Sequence, residues 1–369
     1  MTLSDNIIQR IRQQGPLRFE AFMDMCLYYP DLGYYTSPRS KIGPTGDFYT
    51  SPCLTPVFGT LIGKQLEEMW RILEEPPFTI VEYGAGTGVL CRDILAYLKQ
   101  NHRLYDQLRY CIIEKSPVMR AIEKSHLGEK VSWHDSLEEI PDLIGCILSN
   151  ELIDTFAVHP VVMDQQLMEV FVDYNLTTGF QELLKPAPEE LSHYLDELAV
   201  TLPPGFRTEI NLQALSWIET IASHLQRGYV MTIDYGYESV DLYQPGRSQG
   251  TLRCYRNHTT NQRLYEHIGT QDITTYVNFS ALRHWGAKVG LTESGLTDQG
   301  HFLLALGFNE SIRAFFSAEP NILQAARHIA TISHRLLLDM GCKFKVLIHQ
   351  KGVHGQGLMG LSLMGEGKR

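Results

Sequence analysis

The sequence predicts an α/β protein with a mainly parallel sheet covered on both faces by helices. Three observations predict it. From residue 78 onward, short β-branched runs alternate with amphipathic stretches, the pattern of repeated strand–helix units. The strand-like runs are apolar throughout rather than alternating, as strands buried on both faces are. The first of them ends in a glycine-spaced turn that opens directly into a helix, "VEYGAGTGVL" at 81–90. With 369 residues and 44% hydrophobic content, the chain exceeds one ordinary compact domain, so additions to the sheet are expected.

The N-terminal section comes first. Residues 4–14 and 18–29 place Ile7, Ile8 and Ile11, then Phe19, Phe22, Met23, Cys26 and Leu27, at helical spacing. The pattern then breaks in "YYPDLGYYTSPRSKIGPTGDFYTSP", whose proline, glycine and serine content predicts an irregular, ordered loop. A helix over about 54–73 and the segment "EEPP" close this section, read as a helical cap with a lid loop over 1–77.

The core is read over 78–350. "FTIVEYG" is the first strand and "GVLCRDILAYLKQ" its helix. "LRYCIIEKS" is the second strand, followed by "PVMRAIEKS", with proline suited to the first helical position. "KVSWHDS" and "IGCILSNEL" are the third and fourth. "RGYVMTIDYGY" is the fifth, preceded by a helix at 211–227. Insertions are expected near 157–210, 236–278 and 298–340. The first holds a hairpin from "VHPVVM" and "LMEVFVDYN" and a polar helix near 187–199; the second has little periodicity. A helix at 279–290, a strand near 291–296, helices across 309–339 and the strand "FKVLIHQ" complete the fold, and 351–369 reads as a flexible tail.

Composition excludes several classes. A net charge of −10, from 42 acidic and 32 basic residues, argues against nucleic acid as a partner, because phosphate contacts require a cationic surface. A cationic substrate suits the balance better. Seven scattered cysteines without close pairs, and fourteen histidines without HExxH, predict reduced thiols and no metal site. No uncharged run approaches the ~20 residues needed to span a bilayer, so no membrane insertion is expected.

The glycine turn carries the first chemistry. Gly84, Gly86 and Gly88 place bare backbone at the carboxyl edge of a parallel sheet, where such folds bind ligands. The dinucleotide fingerprint wants its third glycine where Val89 stands. Glu82, two residues before Gly84, would repel a pyrophosphate yet attract the ammonium of S-adenosylmethionine, which has no phosphate. Glu114, ending the second strand, suits two ribose hydroxyls, a role equally compatible with NAD. Asp135 with Ser136, after the third strand, is placed to meet an adenine amino group.

Eight ordered stretches resemble the MidA-like methyltransferases, bacterial relatives of the mitochondrial complex I assembly factor that methylates a protein arginine. They are "LYYPDLGYY", "GPTGDFYTSP" with Phe58–Gly59, "VEYGAGTGVL", "SNELIDTFAVH", "TIDYGY", "GTLRCY" with His258, "QDITTYVNF" and "QGHFLLALG". The match runs from about residue 18 to 350. It implies a class I (Rossmann-like) SAM-dependent methyltransferase sheet with an N-terminal helical cap and insertions after the fourth and fifth strands. It also implies S-adenosyl-L-methionine as donor and dimethylation of a protein arginine on a subunit of respiratory complex I. A start so near residue 18 leaves little room for a transit peptide, so a bacterial cytoplasmic protein is expected. Cys53, Tyr276 and Asn278 depart from the family pattern, which commonly has glutamate, histidine and aspartate there.

In that fold the fourth strand's end faces the transferred methyl, making Asn150, Glu151 and Asp154 the catalytic candidates: Glu151 to clamp a guanidinium, Asn150 to orient acceptor or cofactor. Asp47 is the next, on a lid loop turned by Gly46 and folding over the cofactor. Asp234, Tyr235 and His258 are expected to line the acceptor cleft; Tyr28, Tyr29, Tyr34 and Tyr35 are read as packing of the cap. The competing readings are a small-molecule methyltransferase of the same fold, an NAD-linked oxidoreductase disfavoured by Val89 and Glu82, and a cofactor-binding assembly chaperone without catalysis.

Overall fold

The computed structural model describes residues 1–39, 41–43, 46–353, 355 and 357–363. The chain divides into two compact units. One comprises Tyr49–Leu152, Glu219–Tyr235 and Gly286–Arg369; the other comprises Met1–Phe48, Ile153–Ile218 and Gly236–Trp285.

The first unit is organised by a seven-stranded sheet: β1 (Phe78–Tyr83), β2 (Leu108–Ile113), β3 (Val131–His134), β4 (Leu143–Asn150), β5 (Leu225–Tyr237, in this unit as far as Tyr235), β6 (Thr292–Asp298) and β7 (Phe344–Lys351). Their order across the sheet is β6-β7-β5-β4-β1-β2-β3. From β5 to β3 every pairing is parallel, with Thr79 opposite Gly145 and Tyr83 opposite both Ser149 and Ile113. The order reverses between β1 and β4, which opens a crevice at their carboxyl ends. The strand β7 runs antiparallel to both β5 and β6, within a sheet that is otherwise parallel as expected. It inserts between two strands that point the same way, which is why "FKVLIHQ" looks like any other buried strand in sequence.

Helix termini follow local chemistry. Thr55 caps α1 (Pro56–Ile72), its side chain accepting from Val57 N, with Pro56 at the first helical position. Gly88, in a left-handed conformation, opens α2 (Val89–Leu98). Ser116 caps α3 (Pro117–Lys124) through Met119 N, with Pro117 where the sequence predicts it. Phe58, Leu61, Leu90 and Ile94 from α1 and α2 share one buried core with Ile80, Ile112, Leu148 and Met231 from the strands. Fully burying side chains of this size contributes about 1.5–3 kcal/mol each, so this face dominates the unit's cohesion. Val353, Leu358 and Leu361 join the same core, and Gly360 N donates to Gln65 Oε1 at 2.9 Å, so the stretch read as a flexible tail contains packed residues. Residues 364–369 of that stretch lie outside the described residues.

The second unit is mostly antiparallel. The expected hairpin, His159–Met163 with Leu167–Asn175, belongs to a larger sheet that adds Arg207–Ile210, Gly179–Pro186 and the two residues Leu17–Arg18. "GFQELLKP" conceals its strand because Gln181, Glu182 and Lys185 leave no apolar face; Glu182 is instead spent on Arg207, whose two terminal nitrogens donate to it at 2.6 and 2.8 Å. The segment 236–278, read as aperiodic, contains a small sheet of Arg253–Arg256, Thr259–Asn261 and Asp272–Thr274. Strands of three or four residues are too short to display a period of two. Helices Leu3–Gln14 and Phe19–Tyr28 form as expected, the first closed by a Thr2–Asp5 capping box. Asn278 caps the helix that follows it, accepting from Ala281 N at 3.2 Å, which gives this departure from the family pattern a structural role. Among the described residues no helix is long and apolar enough to cross a membrane.

Candidate active site

The turn after β1 holds Gly84, Gly86 and Gly88 at φ of 65°, 58° and 74°, a region that side chains rarely enter. A Cβ on Gly84 would come to 3.0 Å from Leu152 Cδ1, and one on Gly88 would meet Leu127 and His126. At Gly84 the bare backbone therefore leaves room for the Leu152 side chain.

Glu114 braces this loop. Its carboxylate accepts from Ser116 N at 2.6 Å, and the main-chain N–H groups of Gly86 and Lys115 also donate to it. Burial pushes its carboxyl up to about 7, against the pull of those hydrogen bonds. Glu82 is buried on the same face of the sheet, with Tyr110 donating its hydroxyl at 2.6 Å, and burial likewise raises it to about 7.

A third acid was not anticipated. Glu123 on α3 is 0% exposed, accepts from Trp133 Nε1 at 2.7 Å, and is pushed up to about 8 by burial and then by the charge of Glu114. Its Oε1 has no hydrogen-bond partner among the described residues. "PVMRAIEKS" reads as a solvated helix ending in charges; the available signal was Met119, four residues earlier on the same helical face.

Asp135 and Ser136 are placed differently from Glu114. Asp135 is largely exposed and pairs with Arg120 at 2.7 Å, and the same guanidinium nitrogen donates to the main-chain oxygens of Glu114 and His134. Ser136 precedes the one-turn helix Leu137–Glu139 and bonds Glu138 through its hydroxyl.

At the end of β4 the structure gathers Asn150, Glu151 and Asp234. Glu151 has φ of 52°, a left-handed conformation costing about 1–3 kcal/mol in a non-glycine residue, and its N–H donates to Ile233 O at 2.9 Å. Its Oε1 accepts from Ser51 N and from Asn150 Nδ2, each at 3.3 Å. Asn150 Oδ1 is buried without a partner among the described residues. Asp234, fully buried, accepts from Leu152 N at 3.2 Å and Tyr235 N at 2.8 Å, while the Tyr235 ring packs on Phe344.

Asp154, Asp47, Gly46 and His258 belong to the other unit. Asp47 is 0% exposed; Tyr34 donates to it at 2.9 Å, Arg39 at 2.8 Å and Asn257 N at 2.6 Å, while His258 N bonds its carbonyl. Gly46 N closes a turn on Gly43 O, and the intervening Pro44 and Thr45 lie outside the described residues. Asp154 sits in the one-turn helix Ile153–Thr155, its carbonyl accepting from Thr275 N. Asp272, in "QDITTYVNF", is a functional candidate that no local sequence pattern marks. It accepts from Tyr35 at 2.9 Å and is raised to about 8 by burial and then by Asp154. Tyr35 stacks on Tyr28 with ring centroids 5.5 Å apart, so the cap tyrosines do pack, but around acids. Cys53 takes a hydrogen bond from Thr50 Oγ1 at 3.3 Å, and Tyr276 packs on Tyr237.

The crevice at β1 and β4 thus offers a side-chain-free loop, a braced carboxylate at β2's end and an unpartnered carbonyl oxygen on Asn150. This set suits a nucleoside that carries an amino-acid group, and it needs no phosphate site.

The chain's similarities agree with that chemistry. A family model of S-adenosyl-L-methionine-dependent methyltransferases matches residues 61–297. The Drosophila melanogaster homologue of the mitochondrial protein arginine methyltransferase NDUFAF7 is 26% identical over 386 residues, covering 95% of this chain and 85% of that protein. The Homo sapiens protein arginine methyltransferase NDUFAF7 is 28% identical over 357 residues, covering 86% and 77%. A superfamily member from Burkholderia thailandensis, crystallised with S-adenosyl-homocysteine, superposes with a TM-score of 0.89 at 28% identity, covering 98% of this chain and 94% of that one. The expected fold, enzyme class and methyl donor all stand on these likenesses. The chain belongs to the S-adenosyl-L-methionine-dependent methyltransferase family.

Proposed function

We propose that this enzyme dimethylates an arginine of a protein substrate, and that the substrate is a subunit of respiratory complex I. The observation that carries the reading is Glu151: a strained residue at the end of β4, its carboxylate held by Ser51 N and Asn150 Nδ2. Relatives named as protein arginine methyltransferases support it.

S-adenosyl-L-methionine supplies, when bound, a methyl group on a positively charged sulfur. The Gly84–Gly88 loop, Glu82, Glu114, Asp135 and Ser136 are the residues proposed to hold it. The protein's remaining task is to present a nitrogen with an available electron pair. A guanidinium is always protonated at neutral pH, so a carboxylate accepting its N–H groups both orients it and draws charge away from the nitrogen left facing the methyl. Glu151 takes that part, and Asn150 Oδ1 accepts a further N–H. The clamp demands no strong base, because the nitrogen surrenders its proton, to the Glu151 carboxylate, only as the new N–C bond replaces the bond from methyl to sulfur. Positioning supplies most of the acceleration.

The test is transfer of isotopically labelled methyl to lysate from cells lacking the gene, with wild type and Glu151→Gln, followed by mass spectrometry. Label on a protein arginine, lost in the variant, is the expected outcome. Label on a metabolite or lipid alone would sink the proposal.

A further inference from the structure

Gln299 is the first residue of α4 (Gln299–Ala305), directly after β6, in the stretch "QGHFLLALG" to which no role has been attached. Its side chain is 0% exposed. Its Oε1 accepts from the Ser51 hydroxyl at 3.2 Å, whereas its Nε2 has no partner among the described residues. Ser51 is itself fully buried, and its N–H holds Glu151 Oε1 at 3.3 Å. One residue therefore bridges the carboxamide of Gln299 and the carboxylate of Glu151.

A buried N–H left without an acceptor costs about as much as a lost hydrogen bond, so such groups are rare in cores. Here one such donor, on Gln299, shares a network with an acceptor that also has no partner among the described residues, Oδ1 of Asn150, whose Nδ2 donates to Glu151. A molecule held beside Glu151 that presents an oxygen acceptor to Gln299 satisfies the buried donor.

We propose that Gln299 is a ligand-binding residue, whose carboxamide N–H donates to an oxygen of a molecule held beside Glu151. Two sources carry that oxygen: the carboxylate of the donor's amino-acid group, or a main-chain carbonyl of the methyl acceptor. The second source rests on the function proposed above; the first does not.

The test uses Gln299→Met, which removes both polar atoms at similar volume, and Gln299→Glu at pH 8.5, which keeps the oxygen facing Ser51 and removes the N–H. Each full-length variant, checked for a native-like melting transition, is titrated calorimetrically with S-adenosylhomocysteine and with 5′-methylthioadenosine, which lacks the amino-acid group. Initial rates of labelled methyl transfer are also taken over a dilution series of lysate from cells lacking the gene, read on whichever fraction takes the label. Loss of one such hydrogen bond corresponds to about a tenfold effect. If both variants bind S-adenosylhomocysteine about tenfold more weakly while methylthioadenosine is unaffected, the oxygen is the donor's carboxylate. If cofactor binding is unchanged and half-saturation by the lysate rises about tenfold at constant maximal rate, it is the acceptor's. Gln299→Glu behaving as wild type while Gln299→Met fails would reduce the amide to a brace for Ser51 and overturn the proposal. So would unchanged binding and rates in both variants, the result expected if an internal water fills the gap. A wild type that labels no protein would defeat the arginine reading alone, since the titrations still report on Gln299.

Discussion

The main-chain N–H of Leu152 donates to Asp234 Oδ2 at 3.2 Å, tying the end of β4 to the end of β5 through a side chain. Asp234 Oδ1 takes Tyr235 N at 2.8 Å, so one fully buried carboxylate closes two strand ends. Asp234→Ala leaves both N–H groups without that acceptor. A loss of about 2–4 kcal/mol is expected from the unsatisfied donors, read as a lower midpoint in urea denaturation with unchanged slope.

Glu151 combines backbone strain with the clamping role proposed for it. Replacing it with glycine removes the penalty of its left-handed backbone, about 1–2 kcal/mol, and removes the clamp at the same time. Glu151→Gly is expected to melt at or above the wild-type temperature while methyl transfer falls about a hundredfold or more. A melting temperature several degrees lower would show that the Ser51 and Asn150 contacts outweigh the strain.

The acids around the glycine turn make stability depend on pH. Glu123 is raised from 4.5 to about 8, and Glu82 and Glu114 to about 7, in each case chiefly by burial. Between pH 4.5 and 8 the folded state holds more protons than the unfolded chain, so these groups favour folding most at low pH and lose that contribution as pH rises through their folded values. Neighbouring Arg120 and the Trp133 N–H oppose the shift and narrow the window. Glu123→Gln is expected to flatten the decline in melting temperature between pH 5 and 8, which a thermal series across that range reads directly.

Gly84 and Gly88 should differ in kind from ordinary loop glycines. Alanine at either position adds a left-handed penalty of about 1–2 kcal/mol, and at Gly84 it presses on Leu152 Cδ1, 3.0 Å from the added Cβ. Calorimetry with S-adenosylhomocysteine should show at least a tenfold weaker association for Gly84→Ala, with only a modest fall in melting temperature.

The strands that build the crevice were legible because burial on both faces leaves continuous apolar runs such as "FTIV" and "CIL". The glycine turn was legible for a different reason: side-chain-free spacing behind a strand has few other uses. What escaped was set by partners remote in sequence. Glu123 looks like a solvated helix end until Trp133 is beside it, and Asp272 gains meaning only with Tyr35 and Asp154 around it. The antiparallel β7 was equally hidden, because direction leaves no mark on a fully buried strand. Asp135 gains a partner that the sequence does not announce: its largely exposed carboxylate pairs with Arg120, fifteen residues earlier.

The interruption of the sheet sets a timetable for synthesis. β4 ends at Asn150, and its neighbour β5 begins only at Leu225, so the 74 residues between them must be translated before that edge can be covered. At ordinary elongation rates of about 5–20 residues per second, a mainly apolar strand waits on the ribosome for several seconds with one row of amides and carbonyls open. An open edge of that kind invites pairing with other chains. The nascent protein is therefore most exposed to aggregation when β1 and β4 have been made and β5 has not, and a holdase bound during that interval would protect the very strands that later frame the crevice.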